Sequence, residues 1–151
     1  MKFFTALLVL LIAVFAGAQS PPFSNCATGT TDLTVSSSTL SPYPLCINQI
    51  VCITITGTLS EPITSGATLS MQGKYLGRVV YTDNQDLCTV LAASGYSCPI
   101  PVTTTSITFC LLVKSSAPAN IPVAFTIQVI NGNGHILFCI SGTITASNCS
   151  T

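Results

Sequence analysis

The sequence predicts an all-β fold, an immunoglobulin-like antiparallel β-sandwich of about seven strands in two sheets. Apolar and polar residues alternate with period two in seven short segments, as in strands that are buried on one face. The run Asn131-Gly132-Asn133-Gly134 supplies the positive φ values that a tight hairpin needs. Helical periodicity is confined to a turn or two within residues 86–94.

The seven segments follow one another with short connections, as a sandwich requires. The fifth segment alternates most clearly, because Ile107, Phe109 and Leu111 share one face while Thr108 and Cys110 share the other. We expect strands at residues 32–40, 50–59, 67–74, 76–82, 105–114, 122–130 and 135–145.

The composition excludes several classes of protein. Of 151 residues only 5% are charged, and four basic and four acidic side chains give a formal net charge of zero. Because so few cations cannot neutralise a row of phosphates, nucleic-acid binding is excluded. The mean hydropathy of +0.69 also excludes a disordered charged tail and the Glu- and Lys-rich surface of a coiled coil.

The first 18 residues are predicted to be a secretory signal peptide. Lys2 precedes an apolar run, and Ala16-Gly17-Ala18 matches a small-x-small cleavage pattern. A membrane anchor is the alternative, but the apolar stretch at residues 3–18 is shorter than the roughly 20 residues that span a bilayer. We therefore expect residues 19–151 to form one secreted domain, either extracellular or in the lumen of an endosomal or vacuolar compartment.

Eight cysteines, all within residues 19–151, predict disulfides formed in an oxidising compartment. A zinc site is the competing interpretation. It fails because the chain has no Cys-x-x-Cys spacing and His135 is its only histidine. We expect no metal site and no cofactor.

Catalytic groupings are scarce. Any Ser-His-Asp triad would have to use His135, which the Asn-Gly turn places at an exposed hairpin end. No Gly-x-Ser-x-Gly elbow occurs. Asp83 and Asp86 could form a glycosidase pair, but a solvated turn beside a cysteine is the favoured interpretation. We expect no enzymatic activity.

An ordered set of short motifs runs through the mature chain. It consists of Cys26, Leu40-Ser41-Pro42-Tyr43-Pro44, Ile53-Thr54-Ile55-Thr56-Gly57, Ile63-Thr64-Ser65-Gly66-Ala67, Asp86-Leu87-Cys88, Cys98-Pro99-Ile100, Ile121-Pro122 and Leu137-Phe138-Cys139. With these motifs the chain resembles the ML (lipid-recognition) domain family, over about residues 26–145. That family includes the Niemann–Pick-type sterol carrier and the fungal phosphatidylglycerol/phosphatidylinositol transfer proteins.

The resemblance implies a secreted protein that shelters a sterol or phospholipid acyl chains in an apolar cavity between two sheets. The inward apolar faces would form the cavity walls: Ile53, Ile55, Leu69, Met71, Val79, Ile107, Phe109, Leu111, Val123, Phe125, Ile127, Ile136, Phe138 and Ile140. Pattern alone favours a filled core built from the same residues, since protein interiors are close-packed. The predicted rim consists of Tyr96, Pro99 and Ile100, with Tyr43 as a further candidate.

The resemblance also implies two disulfides, Cys88–Cys98 and Cys26–Cys139. Cys52 and Cys110 lie opposite the apolar faces of their strands, so they would pair if those strands are neighbours, as in the family's smaller sheet. Cys46–Cys149 then remains, and Cys46–Cys52 is its main competitor.

Lipid is therefore the expected partner, with transient membrane contact, and the sequence specifies no oligomeric state. Lys74 and Arg78 could meet an anionic headgroup, although a solvated hairpin is the favoured interpretation of these two charges. Asn148-Cys149-Ser150 matches a glycosylation sequon. Two other functions stay open: a secreted recognition or host-interaction module with a closed sandwich and no bound lipid, and a hydrolase that depends on His135 or Asp86.

Overall fold

The computed structural model describes residues 22–149, and the predicted signal peptide at residues 1–18 lies outside them. The described chain forms nine β-strands and one α-helix, which confirms the all-β prediction. In chain order these are β1 (Ser24–Asn25), β2 (Leu33–Ser41), β3 (Leu45–Cys46), β4 (Ile50–Leu59), β5 (Thr68–Tyr75), β6 (Arg78–Asp86), α1 (Leu87–Ala93), β7 (Ser106–Leu112), β8 (Pro122–Ile130) and β9 (Ile136–Ser147).

Seven of these strands correspond to the seven predicted segments. The other two, β1 and β3, are two residues long each. Such short strands carry no measurable alternation, so the sequence pattern could not reveal them.

The strands form two layers. The large sheet has the order β1-β9-β8-β5-β6, and β3 pairs in parallel with the far end of β9. The small sheet has the order β2-β4-β7, and all its pairs are antiparallel. The predicted second and fifth strands, β4 and β7, are therefore neighbours, as expected.

The core lies between the two layers because each sheet turns its apolar face inward. On β4 the inward positions include Val51, Ile53 and Ile55, and on β7 they include Phe109 and Leu111. Threonines occupy the outer face of the same pair of strands, where the Oγ atoms of Thr54 and Thr108 lie 2.9 Å apart. A surface of hydroxyl groups explains how the protein keeps a solvated exterior with so few charges.

Helix α1 closes one end of the sandwich. Asp86 caps its N-terminus, accepting a hydrogen bond from the backbone N–H of Thr89 at 2.7 Å. That hydrogen bond lowers the pKa of the Asp86 carboxyl. The helix buries Leu87, Val90 and Leu91 against the sheets. We call this side the capped end; it comprises α1, the loop at residues 94–105 and the β8–β9 hairpin.

Four disulfides cross-link the described chain. They join Cys26 to Cys139, Cys46 to Cys149, Cys52 to Cys110 and Cys88 to Cys98. Cys52 and Cys110 are directly opposed on β4 and β7. Cys46 thus pairs with Cys149 rather than with Cys52, the alternative partner that the sequence left open.

Val79 is one inward-facing prediction that the structure overturns. A β-bulge between β5 and β6 shifts the register at Gly73 and Lys74, so Lys74 pairs with Val79 instead of Val80. Because a slip of one residue exchanges the two faces of a strand, Val79 points to solvent and is 51% exposed.

Candidate functional site

An apolar cavity of about 60 Å³ lies between the sheets at the end opposite α1. We call this the mouth end; it comprises the start of β4, the end of β7, the following loop to Pro118 and the β5–β6 hairpin. The cavity is lined by Leu40, Leu45, Val51, Ile53, Met71, Tyr81, Leu111, Leu112, Val113, Ala117, Pro118, Val123, Phe125, Ile144 and Ala146. Tyr81 is the only lining residue with a polar side-chain atom.

Period-two alternation brings most of these walls together. The cavity positions Val51 and Ile53 on β4 are alternate residues, whereas the end of β7 contributes the adjacent Leu111 and Leu112. Val123, Phe125 and Ile144 stand on the facing strands β8 and β9. Gly73 also faces inward, and a Cβ placed there would lie only 2.7 Å from a methyl group of Val123. The missing side chain leaves room for the rings of Tyr81 and Phe125, whose centroids are 6.1 Å apart.

Five of the fourteen predicted wall residues line this cavity: Ile53, Met71, Leu111, Val123 and Phe125. Four others surround a residual space of about 10 Å³ at the capped end: Ile55, Ile107, Phe109 and Phe138. Leu69, Ile127 and Ile140 are buried core residues, whereas Ile136 is half-buried beside a second bulge. The filled-core interpretation is therefore correct for about half of the molecule.

The predicted rim is wrong for this cavity, because its residues lie at the capped end. Ile100 is only 2% exposed and forms a backbone bridge with Ile63. The hydroxyl of Tyr96 accepts a hydrogen bond from the backbone N–H of Thr108. Pro99 is exposed and directly follows the loop that the Cys88–Cys98 disulfide closes. None of these three residues lines the cavity.

The residues that actually form the mouth were partly visible in the sequence. Val51, Val113 and Ile144 continue the alternation of strands already assigned. Ala117 and Pro118 belong to a loop, where no periodic pattern applies. Tyr43, the additional rim candidate, is half-buried against the core but does not line the cavity.

A polar cluster stands beside the cavity where β6 approaches the end of β7. The carboxylate of Asp83 forms an ion pair with the ammonium of Lys114 and accepts a hydrogen bond from Gln85 Nε2 at 2.8 Å. Burial raises the pKa of the neighbouring Tyr81 hydroxyl, and the negative charge of Asp83 raises it further. Asp83 is thus a buried, paired carboxylate, and its assignment to a solvated turn is wrong.

A second polar cluster lies at the capped end. The carboxylate of Asp32 accepts hydrogen bonds from Asn131 Nδ2 at 2.9 Å and from Asn133 Nδ2 at 3.0 Å, and it lies 3.4 Å from His135 Nδ1. Burial by itself would raise the pKa of Asp32, but these partners outweigh it and the pKa is lowered. The His135 side chain is 68% exposed, as expected for a hairpin end.

The cavity is narrower than a lipid. An engineered apolar cavity of about 150 Å³ binds benzene, whereas the mouth-end cavity measures about 60 Å³. A hydrocarbon chain can therefore occupy it only if the sheets separate or the lining side chains move. A wider, open groove of about 730 Å³ runs between β1 and β2, but serines 36–38 and Thr39 line much of it, which makes it a poor site for a hydrocarbon.

The β5–β6 hairpin projects from the mouth end and exposes apolar side chains. Leu76, at its tip, is 85% exposed, and Tyr75 beside it is also exposed. Lys74 and Arg78 flank the tip, and neither forms a salt bridge within residues 22–149. The two cations and the two apolar side chains together form an amphipathic tip.

Within the described chain, no helix is long and apolar enough to cross a bilayer. No cluster of three or more His, Cys, Asp or Glu residues in that same part of the chain is arranged to hold a metal ion.

Comparison with known proteins identifies relatives that share this architecture. A protein of Dictyostelium discoideum, whose name assigns it to the phosphatidylglycerol/phosphatidylinositol transfer proteins, is 28% identical over 145 residues, or 96% of this chain and 99% of the relative. The crystal structure of a Niemann-Pick type C2 protein from the Japanese carpenter ant superposes with a TM-score of 0.65 at 14% identity, covering 83% of this chain and 99% of that one.

Chicken MD-1, in a crystal structure complexed with lipid IVa, superposes with a TM-score of 0.53 at 11% identity. It covers 83% of this chain and 97% of its own. The family model of the ML domain matches residues 20–146 of this sequence. Because that match spans most of the chain, the protein belongs to the ML-domain family.

Proposed function

We propose that this protein binds a lipid at the mouth end and carries it through water, with a sterol body or phospholipid acyl chains held in the apolar cavity. The observation that carries the proposal is the cavity itself, whose fifteen lining residues offer a single polar side-chain atom. A site of this kind cannot satisfy a polar guest, because desolvated polar groups need partners. Such a site suits the hydrocarbon part of a lipid.

Desolvation would supply the affinity. Each buried methylene contributes about 0.8 kcal/mol, so a sixteen-carbon chain contributes roughly 10 kcal/mol before ordering costs. Two similar proteins support the proposal. The name of one refers to phospholipid transfer, and the crystal structure of the other contains lipid IVa. A headgroup would remain in water outside the cavity.

The finer parts of the proposal concern location and route. The predicted signal peptide and the four disulfides support secretion, or residence in the lumen of an endosomal or vacuolar compartment. The amphipathic tip supports transient contact with an anionic membrane surface. Three basic residues, Lys74, Arg78 and Lys114, are at the mouth end, whereas the exposed acids Glu61 and Asp86 are at the capped end. This polarity would turn the mouth towards an anionic surface.

The narrowness of the cavity favours one alternative, a recognition module with a closed sandwich and no lipid. Lipid uptake separates the two functions. Ala117 is a small, partly buried residue of the cavity wall, so Ala117→Phe should obstruct the mouth. Ala92→Phe makes the same change on the exposed side of α1 and serves as the control.

The test uses delipidated protein with a fluorescent sterol and a fluorescent phospholipid in parallel. We expect wild type and Ala92→Phe to bind at least one of the two with equal affinity, and Ala117→Phe to bind it at least tenfold more weakly. Absence of binding by the wild type to both probes would contradict lipid carriage and favour the recognition module. Equal binding by all three proteins would place the lipid site elsewhere.

A further inference from the structure

Within residues 22–149, no disulfide joins a strand of the sheet β1-β9-β8-β5-β6 directly to a strand of the sheet β2-β4-β7. Cys26–Cys139 and Cys46–Cys149 both anchor chain to β9 or its end, and Cys52–Cys110 joins two strands of the small sheet. Cys88–Cys98 links α1 to the loop after it. Among residues 22–149, Cys46–Cys149 therefore ties the β2–β4 connection to the end of β9, and no disulfide joins β6 to β7.

β6 and β7 form one open edge of this sandwich. β6 is the last strand of the large sheet and β7 is the last strand of the small sheet, and no backbone pairing joins them. Helix α1 contacts both strands and covers this edge at the capped end. Towards the mouth end the edge is closed by side chains, and the only ion pair there within the described chain joins Asp83 of β6 to Lys114, just beyond β7.

Asp83 is a charged residue at an inward-facing position of β6. Its register partner on β5 is Met71, which lines the cavity, so this carboxylate occupies an inward position among apolar side chains. Only 4% of its side chain is exposed, whereas the side chain of Lys114 is 45% exposed. A carboxylate buried to this degree needs a partner, so separation of β6 from β7 has to break a favourable ion pair.

Lys114 is the more exposed partner of the ion pair. The lysine lies on the loop that leaves β7, its stem reaches across the edge, and the cavity residues Leu112 and Val113 immediately precede it. Tyr81, which lines the same side of the cavity, lies next to the backbone of Lys114. Two backbone hydrogen bonds hold Val113 to Asn48 and Gln49 before β4, so release of the ammonium removes the side-chain link to β6 and leaves this wall attached to the small sheet.

We propose that the Asp83–Lys114 ion pair is a latch that controls how fast the β6–β7 edge opens to admit or release lipid. The inference rests on the proposed function. It adds the route of the lipid and two positioning residues. A latch of this type slows uptake and release alike, because the pair breaks on opening and re-forms when the edge closes around the ligand.

The experiment compares stopped-flow uptake and release of the fluorescent lipid in three variants. Asp83→Leu/Lys114→Met removes both charges and keeps side chains of similar size, which avoids leaving one buried charge unpaired. Lys114→Arg preserves the ion pair. Thr54→Val/Thr108→Val removes a polar pair within the small sheet and is the matched control.

We expect the double charge-removal variant to take up and release lipid about tenfold faster, with less than a threefold change in Kd. Lys114→Arg and the threonine control should keep the wild-type rates. Raising the salt concentration should accelerate uptake in wild type but not in the charge-removal variant, because salt screens the partly exposed pair. Unchanged rates in that variant, or a change in only one of the two rates with a corresponding change in Kd, would overturn the latch.

Amide hydrogen exchange separates failure of the latch from failure of lipid carriage. Without any lipid, the charge-removal variant should exchange faster than wild type along β6 and β7, with β8 and β9 unaffected. If the charge-removal variant exchanges faster but neither it nor the wild type binds lipid, lipid carriage is refuted and the ion pair still controls opening of the edge. Normal lipid binding without faster exchange would refute the latch alone.

Discussion

The two ends of the sandwich bury apolar side chains in different ways. At the capped end α1 and its disulfide loop cover the sheets, and the inner side chains leave only about 10 Å³ unfilled. At the mouth end no helix of residues 22–149 covers the sheets, and about 60 Å³ remains between them. One continuous core is thus filled on one side and incomplete on the other.

This difference shows how the fold tolerates an unfilled site. At about 24 cal/mol per Å³, a cavity of 60 Å³ costs about 1.4 kcal/mol. The capped end and the disulfides offset this loss, because both stabilise the fold without occupying the cavity. The capped end therefore contributes more to stability, and the mouth end is the less completely packed of the two.

The largest expected effect concerns the disulfides at the two ends. Cys46 and Cys149, near the mouth, are 103 residues apart, whereas Cys88 and Cys98, at the capped end, are 10 apart. In the chain-entropy model, the first bridge contributes up to about 5 kcal/mol to the free energy of unfolding and the second about 3 kcal/mol. Denaturant unfolding of the Cys46→Ala/Cys149→Ala and Cys88→Ala/Cys98→Ala proteins measures both. A larger loss from the short loop would contradict this assignment.

Two phenylalanines compare the packing of the ends directly. Phe109 is 1% exposed in the filled core, so Phe109→Ala should lower the free energy of unfolding by about 3–5 kcal/mol. Phe125 is half-buried on the cavity wall, and Phe125→Ala should cost less than about 2 kcal/mol because the site is already loosely packed. Equal losses in urea unfolding would show that the two ends are packed alike.

Acid should weaken the capped end through Asp32. Its pKa is lowered in the folded protein from the ordinary value of 3.8, so its hydrogen bonds stabilise the fold above pH 3.8. That contribution disappears as the pH falls below 3.8 through the lowered pKa. Asp32→Asn should therefore be less stable than wild type at pH 7, and the difference should shrink in acid. Thermal unfolding at several pH values tests this, and a constant difference would count against it.

The smallest stability effect is expected at the amphipathic tip. Leu76→Ser should change the free energy of unfolding by less than about 0.5 kcal/mol, since the side chain is 85% exposed. It should nevertheless reduce binding to vesicles that contain anionic lipid by threefold or more. Val102→Ser, at an exposed position of the capped end, is the control and should leave vesicle binding unchanged. Equal sedimentation of both variants with vesicles would exclude the tip as a contact.

The sequence predicted the two layers because alternation depends only on local pattern. It failed wherever a non-local feature decided the outcome. A bulge opposite Gly73 turned Val79 outward, and no residue type in the sequence indicated that bulge. Asp83 looked like a turn residue until β6 extended to Asp86 and Lys114 supplied its partner.

The position of the cavity could not be predicted from pattern either. Filled and unfilled cores use the same apolar side chains, and the difference lies in which end the helix covers. The disulfide loop near Tyr96 marked the capped end, and the mouth was formed instead by loop residues such as Ala117. Wall residues on strands were therefore partly identified, and rim residues on loops were not.

Native mass spectrometry of the protein purified from its expression host tests most directly whether the mouth end is a lipid site. The spectrum should show one lipid mass per chain, which disappears after organic extraction and returns on incubation with the same lipid. The Ala117→Phe protein should carry little or none. A spectrum of bare chain before extraction, with no mass gained after incubation with sterol or phospholipid, would contradict lipid binding in this cavity.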